Sequence, residues 1–170
     1  MANEAQMQAC LAGIGPEGLF YEDIELGAEF VTSDHEITRE GIATFGKVTL
    51  DEHPLHVDED YARKAGFPGL IAHGLFGLSL MEGLKTRLHL YDQSSIASLG
   101  WDAVKFRAPI LPGDRVHVWM KFSGARASSS RPAGIVTEEV ELRRADGRVL
   151  ISAQHLSFIR AKAETLAEGT

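Results

Sequence analysis

The chain has 170 residues, a formal net charge of -7 and a hydrophobic content of 44%, the composition of an ordinary globular protein. One domain is expected at this length, and a domain of this size can bury a sufficient core without disulfides. Cys10 is the only cysteine, so a disulfide within one chain is excluded. The net acidity argues against nucleic acid as a partner, because phosphate binding needs clustered Lys and Arg.

The sequence predicts no membrane partner. No apolar run reaches the roughly 18 residues that a transmembrane helix needs. Residues 1–20 contain Glu4 and Glu17 but no Lys or Arg, whereas a secretory signal begins with basic residues. We therefore expect a cytoplasmic protein, with an N-terminal arm over residues 1–20, a single domain over 21–162 and a C-terminal tail over 163–170.

The first predicted elements are short. Alternation over residues 29–38 predicts a strand, and Thr38 is placed to cap a helix that runs to Phe45. Pro54 argues against a regular helix over residues 51–56, because proline lacks the backbone N–H that a helix interior needs.

Two further helices are predicted downstream. Asp58 is a predicted N-cap for a short helix that ends at Gly66. Residues 73–90 form a longer helical pattern in which apolar side chains cover most of the cylinder, so this helix is expected to be mostly buried. The apolar positions are Leu75, Phe76, Leu78, Leu80, Met81, Leu84 and Leu88.

Hydrophobic alternation changes to a period of two after this helix, which indicates strands. The predicted strands cover residues 104–108, 116–122, 135–144 and 148–160. One long buried helix followed by four antiparallel strands predicts an α+β fold with the sheet packed on the helix. A doubly wound sheet would instead require strands and helices to alternate.

Polar groups suited to proton transfer concentrate around residues 51–58 and 71–74. Asp51 and His56 are separated by a proline-containing loop that could turn both side chains toward one water, which they would activate as base and acid. A turn cap and a surface histidine would explain the same residues. Gly74 lies in the first turn of the long helix, where free N–H groups suit an oxygen that becomes negative. The alternative is a packing glycine.

Two other features allow more than one interpretation. Glu82 is an acid within the apolar helix, either a base with a raised pKa or a residue at a solvated edge. His53, His56 and Asp58 are metal-ligand types, but no nearby cluster completes a ligand set, so no metal site is predicted. His73 could contribute only if the fold brought it close.

These segments resemble the MaoC-like dehydratases, which include the (R)-specific enoyl-CoA hydratases. The similar residues are Asp51-x-His53-Pro54-x-His56-x-Asp58, then Phe67, Ile71-Ala72-His73-Gly74 and the stretch from Phe106 to Asp114. The similarity extends over residues 21–162, most of the chain.

The resemblance implies a hotdog fold, in which an antiparallel sheet wraps around one long central helix, and a homodimer or higher homo-oligomer. It implies that Asp51 and His56 hold a water that adds across the double bond of a trans-2-enoyl-CoA, giving an (R)-3-hydroxyacyl-CoA. It further implies that the Gly74 N–H binds the thioester oxygen and that no cofactor is required beyond the acyl-CoA substrate. Substrate contacts are expected from His53, Ile71, Ala72 and His73.

Three departures from the family pattern indicate a specialised substrate, and one is the segment Lys47-Val48-Thr49-Leu50 before Asp51, which lacks the Ser-Gly pair often found there. His53 stands where the family usually has Asn, and Glu82 stands where a small or weakly polar residue is expected. Two alternatives to hydration therefore stay open. A hotdog thioesterase would use Glu82 to drive hydrolysis, and a non-catalytic acyl-CoA-binding subunit would account for His53.

Overall fold

The computed structural model describes residues 14–162, in which an antiparallel sheet surrounds one long helix. The helices are α1 (Arg39–Thr49), α2 (Pro54–Val57), α3 (Glu59–Lys64) and α4 (Gly74–Thr86), preceded by a short 3-10 turn at Tyr21–Asp23. The strands are β1 (Glu29–Val31), β2 (His35–Glu36), β3 (Ser95–Phe106), β4 (Arg115–Ala127), β5 (Ala133–Arg144) and β6 (Val149–Arg160).

The sheet has the strand order β1-β4-β5-β6-β3, and β2 also pairs with β4. Inward-facing apolar residues of the sheet pack with Met81 and Leu84 of α4 in one core. Residues 115–122 of β4 alternate between buried and less buried positions, because one face meets the core and the other meets water. The predicted α+β class and hotdog architecture are confirmed.

The three C-terminal strands occupy the predicted regions, but β3 begins nine residues before the predicted start at residue 104. This strand is at the edge of the sheet and is exposed or half-exposed along its whole length. Since neither face is fully buried, its first half carries no apolar alternation that could reveal it.

Helix α1 begins where predicted, with the Thr38 hydroxyl accepting a hydrogen bond from the Gly41 N–H at 3.0 Å. It continues past Phe45 to Thr49. Helix α4 ends at Thr86, four residues before the predicted end. The chain then turns through His89, whose positive φ of 56° is incompatible with a continuing helix.

The expectation that Pro54 excludes a helix was wrong. Pro54 is the first residue of α2, where its missing N–H is not needed and its fixed φ suits the helix. His53 is the N-cap, and its Nδ1 accepts a hydrogen bond from the Leu55 N–H at 3.3 Å. The predicted cap of the next helix is confirmed, since an Asp58 carboxylate oxygen accepts from the Tyr61 N–H at 3.0 Å.

Residues 1–13 of the predicted arm and the predicted tail over 163–170 lie outside the described residues. Within the described part of the arm, Ile14 and Leu19 pack against the core, and the Leu19 N–H donates to the Leu90 carbonyl at 2.6 Å. Across residues 14–162, every helix lacks either the length or the apolar character that crossing a bilayer requires. The predicted domain boundaries and cytoplasmic location stay predictions.

Candidate active site

A cavity of about 460 Å³ lies at the amino-terminal end of α4. Four of the predicted site residues line it, namely His56, Ile71, Ala72 and Gly74. The other walls come from the end of β3 and the segment after it, including Phe106, Arg107 and Pro109. Two loops that are distant in sequence therefore meet at one cavity.

The His56 imidazole is oriented by a hydrogen bond on one side of its ring. Its Nδ1 lies 2.8 Å from the Ile71 carbonyl oxygen, which can only accept, so Nδ1 carries the proton. Nε2 therefore keeps its lone pair. Partial burial lowers the pKa of His56 from its usual 6.5, and the nearby His73 adds to this, although the bond to Ile71 opposes it. The ring is accordingly a neutral base at physiological pH.

His73 lies behind His56 and holds the loop that carries Asp51. It is buried, and its Nε2–H donates to the Asp51 carbonyl oxygen at 2.7 Å. The centroids of the two imidazole rings lie 3.7 Å apart, and the ring planes are tilted by 31°. The Asp51 carboxylate itself accepts from the His53 N–H at 3.4 Å through Oδ1. His73 was predicted to contact the substrate, but it lies behind His56 and is absent from the described lining of the cavity.

Asp51, His56 and His73 each offer one ligand atom within 4.8 Å of the others, a spacing that a metal ion could use. The fold therefore brings His73 to a place that the sequence could not establish. The expectation of no metal stays a prediction.

Gly74 is the first residue of α4, so its N–H belongs to the turn that has no intrahelical acceptors. A Cβ at this position would lie 2.7 Å from Cε1 of the Phe106 ring. Glycine therefore allows the aromatic wall of the cavity to approach the helix terminus. A ligand oxygen in the cavity would meet backbone donors and the positive end of the helix dipole.

Three of the predicted site residues, Asp51, His53 and His73, are absent from the described lining of the cavity. His53 caps α2, and its ring centroid lies 6.2 Å from that of His56. Glu82 lines a second cavity near the other end of α4, and its side chain is 45% exposed. The interpretation of Glu82 as a residue at a solvated edge agrees with this exposure.

Sequence reasoning missed a buried polar cluster formed by Lys85, Glu138 and His155. The sequence could have indicated one member of this cluster. Glu138 alternates in phase with Val136 and Val140, which face the core, so its side chain is expected to be buried. An acid at such a position is either paired or neutral. Its partners could not be identified from the strand pattern.

The fold and the first cavity define a class of protein: a hotdog domain whose imidazole base and helix terminus converge on one ligand cavity. The MaoC-like domain model matches residues 23–143. The chain belongs to the MaoC-like domain family, as the sequence motifs predicted.

Named relatives support this assignment. The chain is 34% identical over 101 residues to a 3-hydroxybutyryl-CoA dehydratase of Methylorubrum extorquens, covering 59% of this chain and 61% of that protein. It is 31% identical over 110 residues to an (R)-specific enoyl-CoA hydratase of Rhodospirillum rubrum, covering 62% and 70%. The matched segment is thus less than two thirds of the first of these relatives.

The structure is also similar to the crystal structure of a MaoC-like dehydratase from Rhodospirillum rubrum. The TM-score is 0.78 at 27% identity, and the match covers 85% of this chain and 99% of the other. Nearly the whole of that domain therefore has an equivalent in this chain.

Proposed function

We propose that this domain is a hydro-lyase that adds water to a trans-2-enoyl-CoA to give an (R)-3-hydroxyacyl-CoA, or catalyses the reverse dehydration. One observation carries the proposal: His56, whose Nδ1–H is held by the Ile71 carbonyl, lines the cavity that contains the Gly74 terminus of α4, and a ring nitrogen of His56 lies within 4.8 Å of an Asp51 carboxylate oxygen. The names of the two relatives above support the same reaction.

In the hydration direction, Asp51 and His56 hold one water, and His56 Nε2 takes a proton from it as the oxygen bonds to the β-carbon. The electron pair of the double bond moves toward the thioester, whose oxygen becomes negative. The N–H of Gly74 stabilises that charge, an effect worth about 3–4 kcal/mol for a good donor. The proton on His56 then passes to the α-carbon, so that one water is added and the base is restored.

Arg107, an exposed residue that lines the cavity, is suited to bind the CoA phosphates. Its Nε donates to the Ser152 hydroxyl at 3.1 Å, which orients the guanidinium at the cavity. A guanidinium provides paired donors for phosphate oxygens. We therefore assign Arg107 to binding of the CoA phosphates.

The test is the loss of enoyl-thioester absorbance when the protein is mixed with crotonyl-CoA. We expect kcat/KM to fall by about 10²–10⁴ in His56→Ala and in Asp51→Asn, since each removes a proton-transfer group. His35→Ala, on strand β2 and absent from both cavity linings, is the matched histidine control. Full activity in both site variants would refute the assignment. Release of free CoA would indicate the thioesterase, and binding without turnover would indicate the non-catalytic subunit.

We also propose that two copies pair through β3. This strand is at a sheet edge, is 12 residues long, and exposes Leu99 and Phe106 by more than half. A long edge strand with exposed apolar residues is a template for pairing with another strand. Sedimentation should show a dimer for the unmodified chain and a monomer for Leu99→Arg. A monomeric unmodified chain, or an unchanged dimer in the variant, would refute the pairing.

A further inference from the structure

The first cavity is closed at its inner end by two buried isoleucines. Among its lining residues, Ile110 and Ile151 are only 3% and 1% exposed, whereas Leu75 and Phe106 are 62% and 56% exposed. The exposed residues therefore lie at the entrance of the cavity. The two isoleucines belong to the hydrophobic core, so they lie where the cavity meets that core.

The contacts of Gly77 show how closely these isoleucines pack against α4. Gly74 and Gly77 are three residues apart on one face of the helix, a rise of about 4.5 Å. A Cβ at Gly77 would lie 2.5 Å from Ile110 Cδ1 and 2.6 Å from Ile151 Cδ1. Both side chains thus contact the helix backbone directly, and the space beside Gly77 does not accommodate even a methyl group.

The core continues without a gap beyond this level of α4. Met81, the next residue on the same face, is 0% exposed, and so is Leu142, which lies next to Gly77 as well. Within residues 14–162, the linings of the first and second cavities have no residue in common. Because protein interiors are close-packed, a ligand chain in the first cavity could extend along α4 only by displacing core side chains.

Backbone hydrogen bonds fix the segments that carry the two isoleucines. The Ala72 N–H donates to the Ile110 carbonyl at 2.8 Å, which joins the loop before α4 to the segment after β3. The Arg107 N–H donates to the Leu150 carbonyl at 2.8 Å, which joins the same segment to β6 beside Ile151. Neither isoleucine can therefore move away from α4 without breaking paired backbone.

We propose that Ile110 and Ile151 form the floor of the acyl-binding cavity and restrict the substrate to short-chain enoyl-CoA thioesters. This inference rests on the proposed function, because it places the thioester oxygen at the Gly74 N–H. A crotonyl group extends from its carbonyl carbon over three carbon–carbon bonds of about 1.5 Å, at most about 4.5 Å, which matches the rise from Gly74 to Gly77. An octenoyl group has four further carbons, which would collide with the floor.

The test compares kcat/KM for hydration of crotonyl-CoA and octenoyl-CoA by the full chain. We expect the value for octenoyl-CoA to be at least about tenfold lower, since a single misfitting methylene in an apolar pocket changes kcat/KM by about 10–200-fold. Ile151→Ala removes most of the side chain from the floor and should raise the octenoyl-to-crotonyl ratio by at least about tenfold. Ile159→Ala, buried on the same strand and in neither described cavity lining, should leave the ratio unchanged.

Two features keep the test decisive if a variant is unstable. A ratio of two kcat/KM values does not depend on the fraction of the enzyme that is folded. Ile151→Val removes one methyl group and should shift the ratio in the same direction by a smaller factor. Titration calorimetry with saturated thioesters, which cannot be hydrated, adds a measurement without catalysis: octanoyl-CoA should bind the unmodified chain no more tightly than butyryl-CoA does, and more tightly than butyryl-CoA in Ile151→Ala.

Equal kcat/KM values for crotonyl-CoA and octenoyl-CoA would overturn the floor and leave the proposed function standing. The floor would also be overturned by an unchanged ratio in the Ile151 variants, or by the same change in Ile159→Ala. Absence of hydration with every enoyl-CoA would refute the hydratase, and calorimetry would then decide the floor alone. In that case the expected order of affinities would support it, and tighter binding of octanoyl-CoA to the unmodified chain, or no binding of either ligand, would overturn it.

Discussion

Replacing Lys85 by methionine removes the counterion of a buried carboxylate and leaves the helix and the apolar stem intact. Lys85 Nζ lies 2.5 Å from Oε2 of Glu138, and both residues are buried. Removing one partner of a buried ion pair typically costs about 3–5 kcal/mol, because the other charge stays desolvated. We expect the free energy of unfolding to fall by this amount at neutral pH.

The pKa of Glu138 depends on the same interaction. Burial alone would raise this pKa, but the contacts with His155 and Lys85 outweigh it and lower the value from 4.5 to about 2. A lowered pKa stabilises the fold above the ordinary carboxyl range, and this stability is lost as the pH falls from 4.5 toward 2. The direction of this shift matches the expected loss of stability when Lys85 is removed.

Urea unfolding at one fixed protein concentration measures both effects. The deficit of Lys85→Met should be largest near neutral pH and should shrink below the ordinary carboxyl range, where Glu138 is protonated in the variant. Lys85→Met/Glu138→Gln should recover most of the loss, because the amide is uncharged and still accepts from Tyr91 and Ser157. Lys64→Met, at an exposed position in α3, is the control. A deficit equal to that of the control, or independent of pH, would refute the reasoning.

The remaining predictions concern the base and the core. If neutral His56 is the base, the acid limb of the pH profile of kcat/KM should have its midpoint below 6.5, since burial lowers the His56 pKa from that value; a midpoint above it would contradict this role. Gly77→Ala should lower the free energy of unfolding by about 1–3 kcal/mol, because its Cβ would lie 2.5 Å from Ile110 Cδ1 and 2.6 Å from Ile151 Cδ1. Gly83→Ala on the same helix, with open space around its Cβ, should stabilise by about 0.5–1 kcal/mol.

The strands that the sequence revealed are those with one buried face. In β4, the residues Val116, Val118, Met120 and Phe122 are buried and alternate with more exposed side chains, so the pattern of period two is visible without a structure. The first half of β3 is a strand only because β6 pairs with it. Edge pairing satisfies backbone groups and leaves no requirement on side-chain polarity, so the sequence could not report it.

The first cavity was partly predictable from local sequence. Asp51 and His56 are five residues apart, and Gly74 precedes a strongly apolar helix, so their chemistry could be proposed from short segments. The position of His73 could not, because it depends on a hydrogen bond to the Asp51 carbonyl that spans 22 residues. The role of Pro54 also depended on local backbone geometry. The presence of a proline suggested that no helix could form here, but Pro54 is the first residue of a helix.

The sequence by itself determined the fold class, the family and the net charge of -7. Tertiary structure decided which charges are compensated and where the uncompensated ones face. Lys85 meets His155 across 70 positions, and Glu138 is opposite His155 through the pairing of β5 with β6. A buried charge is stabilised by groups adjacent in space, and the electrostatic interactions that set its energy depend on distance and solvent exposure. Chain order specifies neither quantity, so the polarity of the second cavity is visible only in the folded chain.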